Sequence, residues 1–351
     1  MTDLVTEPAE PAGPAAGPGK PDDLEAVLER HRRELTGYCY RMLGGAHEAE
    51  DAVQETMLRA WRAYDRFEGR AAVRSWLYRI ATNVCIEMLR GRGRRALPMD
   101  LAAPAAPGAR PGVARTDAAW LQPMPDARVL TAGDDPAEEA VGRESVRLAF
   151  VAALQHLSPR QRAVLILRDV LRWKASEVAH LLDTTVVSVN SVLRRARAAL
   201  VVADPGPATV LDDSAGPDTR AFLERYVDAF ERLDVEQLVA LLHDDVTLAM
   251  PPHDLWFQGV DGVLGWVATA EELCRRARFV PVGTANGAPT FGLYKVGADG
   301  YDLFGIHSVE VVGGRARAVQ VHLGQALGPL FDLPARLSPA ELGDRAAIRR
   351  S

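Results

Sequence analysis

The sequence predicts a multidomain chain, two all-α modules followed by an α+β domain. Three observations carry this. The chain has 351 residues, too many for one hydrophobic core of ordinary size. Apolar residues recur with helical spacing in two blocks, 22–95 and 136–202, which a Pro/Ala/Gly-rich stretch separates. A third block, 218–335, opens with helical periodicity and continues as strand-like runs, the order of an α+β domain.

Residues 1–21 are rich in Pro, Ala, Gly and Glu and are expected to be a disordered tail. They lack the basic and apolar regions of a signal peptide. In the first block the helical spacing runs through Leu24, Val27, Leu28 and Leu35, then Val53, Met57, Leu58 and Trp61, then Trp76, Leu77, Ile80, Val84 and Met88. Gly44-Gly45 divides the first two helices and Gly69 precedes the third. Residues 96–135 read as an interdomain linker, in which Trp120-Leu121-Gln122-Pro123 is unexpectedly apolar.

In the second block Ser158-Pro159 with Gln161 predicts a capped helix start. A short helix from Ala175, the polar turn Asp183-Thr184-Thr185 and a final helix from Val186 to Leu200 follow. A second linker covers 203–217. In the third block helices are expected over Thr219–Leu233 and Val235–Leu242, and strands over Val246–Met250, Thr290–Val296, Tyr301–Val312 and Ala316–Leu323. Gly313-Gly314 predicts a hairpin between the last two strands. Residues 336–351 form a tail.

The net charge of −6 is unevenly spread. Residues 136–200 hold ten Lys/Arg against six Asp/Glu, and residues 218–351 hold thirteen against eighteen. A basic module beside an acidic one points to a polyanion partner for the first, which the second could mask. Cys39, Cys85 and Cys274 are scattered and read as buried reduced thiols of a cytoplasmic protein. No apolar run approaches a membrane span, so no membrane partner is expected. There is no metal signature and no phosphate-binding loop, hence no metal, no cofactor and no catalytic residue is expected.

Residues Arg172 to Arg197 have the form of a helix-turn-helix. In that motif the second helix enters the major groove. Thr185, Ser188, Asn190 and Ser191 are candidates for close polar contact, and Arg194, Arg195 and Arg197 for phosphates. Val189, Leu193 and Ala196 would seat the helix. Around it, Leu157 to Arg168 with Ser176-Glu177-Val178-Ala179 resembles region 4 of the sigma-70 family. Glu48-Ala49-Glu50-Asp51-Ala52-Val53-Gln54-Glu55-Thr56 resembles its region 2.2, and Arg74 to Asn83 resembles regions 2.3 and 2.4. No region 3 lies between them, as in the group IV (extracytoplasmic-function, ECF) sigma factors.

The resemblance implies a sigma region 2 helical bundle and a sigma region 4 helix-turn-helix. It implies RNA polymerase core (β′ and β subunits) and promoter DNA as partners. Asp51, Gln54 and Glu55, which share a helix face, would bind polymerase. Arg66, Arg70, Arg74 and Asn83 would serve the minus-ten element, where a melted base must be caught. Trp76 is expected to pack in the core. The second block would read the minus-thirty-five element. Where many ECF helices carry arginine, this chain has Asn190 and Val192. Asn suits adenine, and Val offers only apolar contact.

The third block resembles the SnoaL-like family, an α+β cone with a cavity, through Tyr226-Val227-Asp228-Ala229-Phe230, Asp234 to His243, Met250-Pro251-Pro252 and Trp256-Phe257-Gln258-Gly259. With the Trp120 segment the chain looks like the sigma-G type of ECF factor, in which the extra domain regulates in cis. Trp120 and Leu121, with Phe331, Asp332, Leu333 and Pro334, are the expected interdomain regulatory contacts. A small-molecule ligand in the cone is a further candidate partner. The rival reading is a SnoaL-like ligand-converting enzyme fused to a vestigial sigma module. His253, Asp254, His307 and His322 are its candidate cavity groups, though no pair has diagnostic spacing.

Overall fold

The computed structural model describes residues 24–67, 72–115, 119–130, 136–203, 212–214, 216–269 and 276–347. The expected N-terminal tail, Gly69, Arg70 and Cys274 lie outside these.

The first module holds α1 (Leu24–Glu29), α2 (Arg32–Leu43), α3 (Ala46–Ala63) and α4 (Val73–Leu89). Gly44 ends α2 in the left-handed conformation, φ 70°, as the Gly-Gly pair suggests. Its core is built from Leu35, Tyr38, Met42, Val53, Leu77 and Val84, all at most 1% exposed. Cys39 and Cys85 are buried free thiols. Helix α5 (Asp126–Val129) lies in the connecting segment and packs on α2; the second module holds α6 (Pro136–Val146), α7 (Leu148–Leu154), α8 (Pro159–Leu165), α9 (Ala175–Leu181) and α10 (Val186–Ala203). The capping box at Ser158 is present: the Gln161 amide donates to Ser158 Oγ, and the Ser158 amide to Gln161 Oε1.

The third module opens with α11 (Pro217–Arg232) and α12 (Val235–Ala240). A seven-stranded sheet follows: β1 (Leu242–Ala249), β2 (Trp256–Gln258), β3 (Arg278–Ala285), β4 (Ala288–Gly297), β5 (Gly300–Val312), β6 (Arg315–Leu323) and β7 (Arg336–Leu337). Its order is β2-β1-β6-β5-β4-β3, with β7 on β5. Among the described strands only β1 and β6 pair in parallel. Helix α13 (Gly259–Thr269) precedes β3, and α14 (Pro339–Ala347) ends the described chain. The Gly313-Gly314 turn joins β5 to β6, both glycines at positive φ. Three strands were not expected: β2, β3 and β7, the last lying in the stretch expected to be a tail. Pro281 and Gly283 interrupt β3 at its register shift, which removes the alternation that marks a strand.

The three modules do not sit apart. One continuous apolar cluster takes Leu35, Tyr38 and Leu77 from the first, Val151, Leu154 and Leu165 from the second, and Ile306, Leu330, Phe331 and Leu333 from the third. The sheet has two working faces. One carries Val319 and Val321 into a second core with Phe222, Phe257 and Phe279. The other carries His322, Gln320 and Ser308 toward Pro123 and Leu148 of the helical part. The segment expected to be a free linker is packed along this junction. It forms a parallel bridge at Ala96–Trp120 and an antiparallel one at Pro125–Ala285.

Candidate polymerase, promoter and interdomain sites

On α3, Asp51 and Gln54 are exposed, and Glu55 is half-buried in an ion pair with Arg59, 2.7 Å. Arg59 also reaches Glu87 on α4 at 2.9 Å and holds that carboxyl below its usual range. Leu58 and Trp61, part of the apolar periodicity, are each 45% exposed. They continue the Asp51–Gln54 stripe, since 51, 54, 58 and 61 follow the 3–4 spacing of one helix face. Sequence periodicity alone could not separate this exposed apolar pair from the core. Beside the stripe lies an open groove lined by Arg32, Arg33, Glu50, Gln54 and Arg128. Arg128 of α5 pairs with Glu50 and lies 3.7 Å from Asp332.

On and before α4, Arg66, Arg74 and Asn83 are exposed. Arg74 pairs with Glu34 at 2.8 Å. Its guanidinium lies 5.4 Å from the ring centroids of both Tyr78 and Trp173. Trp173 precedes α9, so the second helical module sits directly on α4. Trp76 packs against Phe67 at 4.9 Å and Tyr64 at 6.1 Å.

On α10, Val189, Val192, Leu193 and Ala196 are buried, 7% exposed or less, so Val192 faces the scaffold. Thr185 caps the helix, accepting from the Ser188 amide at 3.1 Å. Thr185, Asn190, Arg194, Arg195 and Arg197 are exposed, and Ser188 and Ser191 half-buried. Arg197 is held in a two-pronged pair with Asp169, 2.6 and 2.8 Å, which raises its pKa. Among the described residues Arg194 and Arg195 form no ion pair, so the acidic domain does not mask them.

The interdomain residues fall into two groups. Leu121, Phe331 and Leu333 are buried in the shared cluster. Leu333 presses on Gly292, where a Cβ would meet its Cδ1 at 2.6 Å. Pro334 accepts from Tyr294 Oη at 2.8 Å. Asp332 is exposed, at φ 53°. Trp120 is half-buried apart from the cluster, its Nε1 donating to the Arg115 carbonyl at 3.0 Å. Gln122 Oε1 accepts from the Ala46 amide at 2.9 Å and so caps α3.

The hub of the junction is Asn286, at the tip of the β3–β4 hairpin with φ 53°. Its Nδ2 donates to Tyr40 Oη at 2.7 Å and to the Val146 carbonyl at 2.5 Å. Its Oδ1 accepts from the Met124 amide at 2.9 Å. One side chain of the third module thus binds both helical modules and the segment between them. Next to it, the Gly287 amide donates to Asp126, whose carboxyl burial pushes up despite that bond. Two buried arginines complete the seam: Arg41 donates to Ser145 Oγ, and Arg162 to the Met42 carbonyl. Burial lowers the pKa of each to about 10. Across to the sheet, Arg147 meets Glu310 at 3.4 Å. The Asn286-Gly287 pair is a strong hairpin signal, and it was the available sequence clue to this hub.

The four cavity candidates of the rival reading are not brought together. His307 lines the cone's interior. His322 faces the other way, its Nε2 3.2 Å from the Leu121 carbonyl oxygen. Asp254 lies 3.7 Å from Arg115 in a turn beside His253.

Two helical modules with these faces, one a helix-turn-helix, fused to a cone, define a class: sigma-70-type transcription initiation factors with an added domain. The Sigma-70 region 2 model matches residues 27–95, the Sigma-70 region 4 model 147–200, and the SnoaL-like domain model 223–319. The chain is 43% identical over 337 residues to the ECF RNA polymerase sigma factor SigG of Mycobacterium tuberculosis, covering 94% of this chain and 89% of that one. It is 30% identical over 220 residues to SigJ of the same species, 63% of this chain and 62% of the relative. The crystal structure of Mycobacterium tuberculosis extracytoplasmic function sigma factor SigJ shares the fold, with TM-score 0.54 and 22% identity over 89% of this chain and 100% of that one. The chain belongs to the ECF RNA polymerase sigma factor family.

Proposed function

We propose that this sigma factor engages RNA polymerase core through the α3 stripe, serves the minus-ten element from α4 and reads the minus-thirty-five element with α10. We further infer that the cone holds these modules in a closed arrangement that must open for initiation. One observation carries the second part: Trp173 of the second module lies 5.0 Å from Tyr78 on α4. The two promoter elements are named about 25 bp apart, roughly 85 Å of B-DNA at about 3.4 Å per step. Modules in ring contact cannot span that distance. The cone's bonds to both modules therefore favour the closed form, and anything loosening them favours the open one.

The site of action is the cytoplasm, where transcription takes place, and no described helix is long and apolar enough to cross a membrane. The enzyme-fusion reading is not favoured, because the relatives that match along most of the chain are sigma factors. The test is binding to core polymerase by the full chain carrying Asp51→Arg with Glu55→Arg. A large loss of affinity in a folded protein supports the α3 assignment, and unchanged affinity refutes it.

A further inference from the structure

Val192 is packed against the scaffold and 7% exposed, so it makes no apolar contact with a base. The same helix carries another valine that nothing in the chain covers. Val187, in the first turn of α10, is 78% exposed. Successive residues turn by about 100° around a helix. The buried side chains of Val189, Val192, Leu193 and Ala196 therefore share one side of α10, and Val187 stands almost diametrically opposite. Val186, 41% exposed, sits at the edge of the buried side. Val187 is thus the side chain of the first turn that projects furthest from the scaffold.

Its neighbours say what covers it. Asn190, Ser191 and Arg194 follow at the spacings that share a helix face with Val187. Asn190 and Arg194 are exposed, as is Arg195 beside them. Guanidinium groups around a single valine suit a polyanion and do not suit an apolar protein surface. In a helix-turn-helix the first turns of the second helix meet the base edges, and Val187 lies in those turns. Val201 and Val202 are just as exposed, but they stand about 20 Å further along the helix, past the turns that meet bases. An isopropyl group neither donates nor accepts a hydrogen bond. The apolar group that a base edge offers in the major groove is the 5-methyl of thymine. Against a polar base edge the valine would strip water from a donor or acceptor and return nothing.

We infer that Val187 is a specificity-determining residue of the minus-thirty-five contact and reads a thymine through its 5-methyl group, given the role proposed above for α10. Asn190, suited to adenine, stands about 4.5 Å further along the helix axis, close to one base step of about 3.4 Å. The thymine therefore falls within about two base steps of the base that Asn190 reads. Covering one methyl group is worth about fourfold in affinity, which sets the size of the preference.

The test uses the full chain bound to core polymerase, on promoter DNA whose minus-thirty-five element that complex has selected from a randomised library. Each thymine of the element, on either strand, is replaced in turn by deoxyuridine. The replacement removes the 5-methyl and leaves the hydrogen-bonding groups of the base in place. One replacement should weaken binding by the wild-type protein about fourfold. Val187→Ala should bind the unmodified DNA about fourfold more weakly, and the same replacement should then cost it nothing further. Val187 is exposed, so the variant should keep the wild-type thermal melt. A selected element without a fixed thymine, no loss on any replacement, or an equal loss in Val187→Ala overturns the assignment. Asn190→Ala and Arg195→Ala on the same DNA separate this from failure of the α10 reading. If they weaken binding while removal of the methyl does not, α10 enters the groove and Val187 alone is misassigned. If they too leave binding unchanged, α10 is not the reading helix.

Discussion

Replacing Asn286 tests whether the cone's hairpin latches the helical modules. Asn286→Ala removes the bonds to Tyr40, Met124 and Val146. Each buried partner left unpaired costs about 1–3 kcal/mol, less where water can enter. Alanine at φ 53° adds about 1–2 kcal/mol of backbone strain. That strain is common to both forms, so the closed form should lose roughly 3 kcal/mol relative to the open one, somewhat over a hundredfold in the equilibrium. Asn286→Gly keeps the turn and loses only the bonds, for roughly 3 kcal/mol by the same reckoning. The side chain's partners all lie outside the cone, so the cone's own core is untouched. Hydrogen exchange is the assay. The Met124 amide, bonded to Asn286 Oδ1, and the Gly287 amide, bonded to Asp126, should lose protection by about a hundredfold or more in both variants. Run-off transcription per molecule of sigma factor should rise alongside. Wild-type protection over residues 119–130 in Asn286→Gly would refute the latch.

Three further outcomes follow. Arg195→Ala should lower the salt dependence of promoter binding by about one counterion, whereas Arg197→Ala should lower it less, because Asp169 already neutralises Arg197; equal slopes in a salt titration would count against this. Asn190→Ala should relax sequence preference at one position at a cost of about 1–3 kcal/mol, and an unchanged selected promoter set would remove Asn190 from base reading. His322 sits against the Leu121 carbonyl with its pKa lowered by burial to about 4, below about 6.5 for the free side chain. The open form therefore binds the proton more readily, and the stability of the closed form, full above about pH 6.5, falls as pH drops toward 4. Proteolysis within 119–130 should quicken over that window, and His322→Gln should flatten the profile.

What could be read from the residues was local. Ser158 with Gln161 and Gly313-Gly314 act within a few residues, and their short-range chemistry decides the structure there. Helix α10 was equally legible, because burial of Val189, Leu193 and Ala196 follows from the 3.6-residue period. Docking was not legible. The segment after Arg95 has a spacer's composition, yet its order comes from backbone groups such as Ala105 and Arg115 bonded to a distant module. Composition carries no information about such partners. Leu58 and Trp61 look like core by period and are exposed, since periodicity marks a face without saying what covers it. Pro281 and Gly283 hid β3, and with it the hairpin that carries Asn286.

On the reading proposed above, the closed arrangement gives way to an open one at the promoter. The most direct measurement is the distance between labels on Arg62→Cys in α3 and Ala198→Cys in α10, both exposed positions. Cys39 and Cys85 are buried and so shielded from labelling, and Cys274 is changed to serine in the labelled protein. Read by energy transfer, the separation should be short in the free chain and longer by tens of ångströms once core polymerase and promoter DNA are bound. An unchanged distance in a complex that initiates transcription would contradict the account.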